Sequence, residues 1–462
     1  MSGSPPKTPA LESAPLKPKP GAPSPTFGRE RGRPLFVCSL AIFGPGLLAM
    51  LADTDAPCLI VAAQSGAEFG YSLVLLMVLL TPVLFLAQDL TVRLGVYTRM
   101  GLVGCIRNYF GKRTAIAMSM TLAFSGTLAE VSELSGIAVV CELWDMPLWA
   151  GVLGAATLLI TVVFGLPYRA VEVIGIIFGL FECTFIVTMF MSDVSAREFF
   201  EGAVSVSFDA DFFMLVTSNV GAVIMSWMLY FQQGAVVAKR IAPGYEEALE
   251  RTDTLVGAIV TQLIMVAAMV TLAATRNITQ THTLDDVHEI VDAISITVGS
   301  KTAAKVLLSL AFAGGSLCAA FVVGLAVAWG LYEAFGGDID SPSLSLKQTP
   351  LFYVGFLAVV ALGAVVLLSG VDVVALNVVV EVIDALMMPI TLLFIYLLAT
   401  GPALPPESRV TGTHRWVCAS CFLVVTVVAW VAFLWSLIGE VGRHEMSVSV
   451  LSNTFAGSGP LR

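Results

Sequence analysis

Charged side chains are scarce in this sequence: Asp, Glu, Lys and Arg make up only 13% of its 462 residues, against 57% hydrophobic residues. That balance, with a mean hydropathy of +0.88, excludes an ordinary soluble protein and calls for many membrane spans. Histidine is almost missing. The four present, His282, His288, His414 and His444, all fall in polar connections, which leaves carboxylates to handle any protons at membrane depth. The eight cysteines lie mostly in apolar runs and show no spaced extracellular framework, so disulfides are not expected to hold the fold together. Cys418 and Cys421 have redox-motif spacing, but inside an apolar run they read as small-residue packing. Also absent are a nucleophile with a matched base and a nucleotide-binding loop, so no enzyme activity is expected.

Long apolar runs between polar gaps give eleven candidate spans, at about 35–63, 71–92, 114–140, 147–166, 170–192, 212–238, 254–274, 303–332, 351–370, 373–400 and 416–438. Residues 1–33, rich in Pro, Ser and Gly with scattered Lys and Arg, predict a disordered tail. No cleavable leader is recognisable in that stretch, so the first span is expected to start insertion itself. Residues 34–438 then form one transmembrane domain and 439–462 a short tail. With the N-terminus in the cytosol, 18 of the 24 Lys and Arg residues fall on the cytosolic side, among them the cluster Arg93, Arg99, Arg107, Lys112 and Arg113. That asymmetry predicts an integral multi-pass protein with a cytosolic N-terminus and an outside C-terminus. Asn277-Ile278-Thr279, a glycosylation acceptor pattern, falls outside in this arrangement. The acidic stretch Thr281–Glu289 reads as a solvated loop.

Within the first span, Gly44-Pro45-Gly46 is followed by Asp53-Thr54-Asp55 and then by Pro57. A carboxylate at membrane depth must face protein, a cavity or a cation, and Pro57 removes a backbone donor beside Asp55. The helix is expected to break there and bare groups that bind an ion. The sixth span carries a comparable interruption, Ser218-Asn219-Val220-Gly221-Ala222, followed by Met225. Interrupted helices at matching positions of two five-span halves point to a transporter built from inverted repeats, spans 1–5 and 6–10, with span 11 appended. The other intramembrane carboxylates are Glu130 and Glu133, three apart on one face of the third span, Glu182 in the fifth, and Glu381 and Asp384 in the tenth. Each reads either as part of a proton route or as a protonated structural carboxyl.

These residues resemble a known family. Gly44-Pro45-Gly46 followed by Asp55, then Gln64 to Gly70, then Gln88 to Gly95, is similar to the first two spans of the natural resistance-associated macrophage protein family of divalent metal transporters. Gly221-Ala222-Val-Ile-Met225 looks like that family's sixth-span motif. The resemblance implies an all-α, eleven-span fold of the LeuT kind, with alternating access and a metal site between spans 1 and 6. Asp55 matches the family's metal-ligating aspartate and Met225 its thioether ligand, while Ala52 and Ala222 match positions whose backbone carbonyls face the ion. Cys58 stands where the family has an asparagine ligand, and Trp227 where it has a histidine linked to proton movement. Glu130 and Glu133 fall on its proton route, and Glu381 where it has a glutamine; the ninth span has no Lys or Arg. Asp53-Thr54-Asp55, Trp227 and Gln232-Gln233 resemble a divergent branch that includes magnesium transporters.

The expected function is secondary transport of a divalent cation, possible coupling to protons included. Manganese and iron suit a site of carboxylate, carbonyl, thiol and thioether. Magnesium is the alternative, carried hydrated with Asp53 holding its waters. A less favoured alternative is an amino-acid symporter of the same fold, whose substrate carboxylate Asp55 would repel. The partners are then the metal ion and the bilayer, with no cofactor and no nucleic acid expected.

Overall fold

The computed structural model describes residues 44–279, 287–340, 349–370 and 373–456, and among these all regular structure is helical. The opening tail and most of Thr281–Glu289 lie outside the described residues. Ten helices are long and apolar enough to cross a membrane, and the bent pair Pro45–Thr54 and Ala56–Phe69 makes an eleventh span. The eleven follow the expected order. They comprise this pair (span 1), Val74–Thr98, Lys112–Leu143, Leu148–Gly165, Tyr168–Met191, Ala210–Lys239, Tyr245–Arg276, Lys301–Ala334, Pro350–Leu368, Leu376–Thr400 and Gly412–Gly439 (span 11).

Several boundaries differ from the apolar runs, for local reasons. Span 7 starts at Tyr245, nine residues before its apolar run, because its first turns carry Glu246, Glu247, Glu250 and Asp253, good company for a helix N-terminus. The helix of span 11 continues to Ala456, through much of the predicted tail. Short helices Leu102–Phe110, Ala196–Ala203 and Val287–Val298 occupy connections that hydropathy leaves blank.

Burial separates a central layer from a lipid-facing one. In the most apolar 18-residue stretch of span 6, 89% of the residues are buried, against 28% in span 11, which exposes Trp416, Leu423, Val424 and Ile438. Apolar side chains there face the hydrocarbon, so exposure carries no penalty. Span 8 packs along span 3, and span 7 along both parts of span 1.

Span 1 is tied down at its start. Its first N–H groups have no partner within the helix, and span 7 supplies acceptors. Asp253 Oδ2 accepts from Gly44 and Leu47 at 3.0 and 2.8 Å, and Glu250 Oε1 from Gly46 at 2.8 Å. Gln232 of span 6 also reaches Glu250, at 3.3 Å.

Candidate metal centre at the helix breaks

The first part of span 1 runs from Pro45 to Leu51 and tightens into a 3-10 turn over Ala52–Thr54. At Asp55 the backbone becomes extended, with φ −60° and ψ 176°. A new helix starts at Ala56 with Pro57 in its first turn, where the missing N–H would be unbonded anyway. The two parts meet at a bend of 49°. Asp55 is the N-cap of the second part: its Oδ1 accepts from Cys58 N–H at 2.9 Å. The other oxygen, Oδ2, has no hydrogen-bond partner among the described residues. One carboxylate therefore finishes a helix with one oxygen and offers the other to the interior.

Span 6 opens at Ile224 and Met225, both in non-helical conformations (φ −130°, ψ 72° and φ −78°, ψ 139°) between Ala210–Val223 and Ser226–Lys239. The two breaks face each other. Cys58 Sγ lies 3.4 Å from the Ala222 carbonyl oxygen and 3.8 Å from Glu381 Oε1 of span 10. Asp55, Cys58 and Glu381, all buried, each place a ligand atom within 4.8 Å of the others. Glu381 comes this close because Gly221 lets span 6 touch the span 10 backbone; a methyl group on Gly221 would collide with the Glu381 carbonyl oxygen.

The remaining residues singled out from the sequence distribute around this trio. Glu133 faces Asp55 from span 3. Glu130, one turn earlier, is buried with both oxygens unpartnered among the described residues, and Gly363 of span 9 packs on its side chain. Asp53 is buried in the 3-10 turn, both its oxygens also unpartnered. Ala52 is buried at the start of that turn and Met225 at the break itself. Glu381, read from the sequence as a proton-route or structural carboxyl and standing where the family has a glutamine, is thus next to Asp55 and Cys58. Trp227 fills its position as a fully buried side chain.

Three features were not anticipated from the sequence. The first is the capping role of Asp55, whose signal was present as an acidic residue three positions before a free N–H and next to Pro57. The second is the pair Glu250 and Asp253 capping span 1, for which sequence offers no pairing signal across some 200 positions. The third is Asn377, whose Oδ1 accepts from Ser135 at 3.1 Å and from Ser132, joining span 10 to the Glu130 and Glu133 segment of span 3.

The arrangement suits a cation. A lone buried carboxylate is penalised by several kcal/mol, and here two of them, a thiol and a bared carbonyl converge without any basic side chain among the described residues that pairs with the trio. A thiol that loses its proton, two carboxylates and a carbonyl make a mixed hard and soft donor set.

Known proteins share this architecture. A divalent metal cation transporter MntH of Staphylococcus haemolyticus is 28% identical over 210 residues, 44% of this chain and 47% of that protein. The match thus spans about half the length of the curated relative. The crystal structure of the Eremococcus coleocola manganese transporter, in complex with an aromatic bis-isothiourea compound, superposes with a TM-score of 0.67 at 15% identity, covering 92% of each chain. That of MhsT in complex with L-phenylalanine gives 0.56 at 11% identity, over 85% of this chain and 98% of the other. Both share the LeuT fold with this protein. The description "Natural resistance-associated macrophage protein-like" matches residues 46–436, nearly all of the described helical domain, and the chain belongs to that family.

Proposed function

We propose that this protein is a secondary transporter of divalent metal cations of the manganese and iron class, working by alternating access. The observation that carries the reading is the convergence of Asp55, Cys58 and Glu381 within 4.8 Å at the meeting point of two helix breaks. Asp55 Oδ2 and Glu381 supply charge, the Ala222 carbonyl and the turn at Ala52 supply neutral oxygen, and Cys58 with Met225 supplies sulfur. Sulfur at the site favours manganese, iron, zinc or cadmium over magnesium, which binds oxygen and dehydrates reluctantly. Family membership and the relatives' names support the same class. The two carboxylates would repel the carboxylate of an amino acid.

Proton coupling, in this reading, runs through Glu130 and Glu133, since no histidine stands among the buried residues around the breaks. The N-terminus lies in the cytosol, as the distribution of Lys and Arg implies. Proteoliposomes with an imposed pH gradient test both steps. Manganese uptake is expected in wild type, none in Asp55→Ala, and no stimulation by leucine. Wild-type uptake by Asp55→Ala would sink the site. Glu130→Gln and Glu133→Gln are expected to keep manganese binding but lose the stimulation by the pH gradient; stimulation intact in both would remove these residues from the route.

A further inference from the structure

The connection between spans 5 and 6 is rich in exposed apolar side chains. Phe200, Val204, Val206 and Phe208 are each between 61% and 73% exposed. Single exposed apolar residues are ordinary on a surface, but a run of them makes a patch that calls for a partner. They start within a short helix, Ala196–Ala203, whose residues fall on three sides. At 3.6 residues per turn, Phe199 and Gly202 share one side, Arg197 and Glu201 a second, and Ala196, Phe200 and Ala203 a third. The first side meets protein. The Phe199 ring lies 5.4 Å from that of Tyr71, and a methyl group on Gly202 would sit 3.1 Å from the Tyr71 Cβ. Just beyond the helix, Ser205 Oγ lies 2.7 Å from Ser72 Oγ. The second side is in water, with Arg197 and Glu201 paired at 2.8 Å and left 83% and 66% exposed. The third side, headed by Phe200, stands open.

Its surroundings point to what covers it. The segment follows Met191 of span 5 and leads to Ala210 of span 6, so it lies where both spans leave the membrane. The patch continues the lipid-facing surface of the spans, on which Phe190 of span 5 is 79% exposed. On its other flank the Trp435 indole of span 11 donates to the Phe208 carbonyl at 3.4 Å, and the Phe213 ring of span 6 lies 6.3 Å from Phe208 and 5.6 Å from Trp435. Aromatic side chains with a bonded polar tip are enriched at the membrane–water boundary. We infer that residues 196–208 form an interfacial anchor, with Phe200, Val204, Val206 and Phe208 inserted among the acyl chains of the leaflet opposite Gly44 while Arg197 and Glu201 face water. A helix with one apolar and one charged side lies in the plane of the interface. Charge selects the lipid. Between Asp193 and Asp211 five acidic side chains stand against Arg197 alone, so anionic headgroups are repelled and zwitterionic choline headgroups fit. The anchor grips Tyr71 and Ser72, in the turn that joins spans 1 and 2, and so holds the far end of span 1 at a fixed depth. This goes beyond the transport reading and stands whatever the chain carries.

Fluorescence of the full-length protein in phosphatidylcholine vesicles tests it, with a reporter placed by Phe200→Trp or Glu201→Trp and the emission of the seven native tryptophans subtracted. The added emission of Phe200→Trp is expected to be lost in lipids brominated on the acyl chains and to resist acrylamide in the water. Glu201→Trp is expected to show the reverse. Val204→Trp, on the same patch, repeats the lipid reading should Phe200→Trp fail to elute as wild type does in gel filtration. Replacing the choline lipid by brominated phosphatidylglycerol is expected to weaken the quenching of Phe200→Trp. Acrylamide quenching at Phe200 and Val204 alike places the segment in water and overturns the inference. Emission shielded from bromine and from acrylamide at both positions means that a second copy or another protein covers the patch, which overturns it too. Equal or stronger quenching in the anionic lipid overturns the choice of headgroup.

Discussion

Spans 1 and 6 are both interrupted, but by different means. In span 1 the interruption is written next to the break: Pro57 opens the new helix, Asp55 caps it at 2.9 Å, and the axis turns by 49°. Span 6 has no proline at Ile224 and Met225 and no side-chain cap on the helix that follows. Its break is held from outside. Three consecutive polar residues before it each reach a different span: Asn219 donates to Ser65 of span 1 at 2.7 Å, and the Thr217 and Ser218 hydroxyls, which donate to the Phe213 and Met214 carbonyls of their own helix at 3.0 and 3.1 Å, also lie 3.4 Å from the Ala429 carbonyl of span 11 and the Val378 carbonyl of span 10. Gly221 then lets the helix rest on the span 10 backbone. A local break persists in any packing state, whereas an imposed one exists only while its neighbours are in place. In the alternating-access carrier proposed above, span 1 would therefore be a fixed corner and span 6 a contact-dependent one.

The largest expected effect falls on the fixed corner, where one residue has two duties that substitution can separate. Asp55→Ala removes both the free oxygen and the cap, while Asp55→Asn keeps a capping oxygen and removes the charge. Uptake is expected to vanish in both. Thermal unfolding in detergent should show a loss of about 1 kcal/mol for the alanine variant relative to the asparagine one, the usual worth of an N-cap. Equal stability of the two would mean that Pro57 and the packing of span 7 hold the break without the cap, and the contrast with span 6 would narrow.

This difference also explains how much of the molecule was legible in sequence. The order and number of spans follow from hydropathy because each apolar run must cross the bilayer by itself. The break at Asp55 was legible because proline and an intramembrane carboxylate act on their own neighbours. Glu381 was visible as an intramembrane carboxylate, but its place beside Cys58 was not, since the contact depends on Gly221 allowing two backbones 160 positions apart to touch. Ser218 and Asn219 were read as an interruption by virtue of their polarity; what they do is tie span 6 to spans 10 and 1. The caps that Glu250 and Asp253 provide to Gly44, Gly46 and Leu47 were hidden for the same reason. A helix N-terminus announces that it needs acceptors, never which distant segment will supply them.

The contact-dependent corner gives a smaller effect, in which stability and uptake fall together. In Gly221→Ala the new methyl group meets the Glu381 carbonyl oxygen, and a backbone atom cannot swing aside as a flexible side chain would. Overpacking of this kind typically destabilises by ~1–3 kcal/mol. Spans 6 and 10 must separate, which carries Glu381 away from Cys58 and Asp55. Manganese affinity measured by calorimetry should weaken along with the melting temperature. An unchanged affinity in a destabilised variant would show that the trio does not depend on this approach, and Glu381 would then be positioned by span 10 alone.

The smallest effect tests whether span 6 leans on span 1 at all. Asn219 Nδ2 donates to Ser65 Oγ and to the Leu215 carbonyl, both at 2.7 Å, while Ser65 passes its own hydrogen to the Val61 carbonyl at 2.7 Å. Asn219→Ala removes both bonds but also removes Oδ1, a buried oxygen with no partner among the described residues, and the two changes oppose each other. Hydrogen bonds between membrane helices are worth about 0.6 kcal/mol on average, so the net loss should be under ~1 kcal/mol. Asn219→Ala, Ser65→Ala and the double variant form a cycle that isolates the contact from the freed oxygen. A coupling of about that average, with reduced manganese uptake in the single variants, is expected if the tie helps hold the break open. Zero coupling would leave Gly221 and the Cys58 thiol as the contacts between span 6 and its neighbours that matter at the site, and the imposed break would rest on packing rather than on hydrogen bonds.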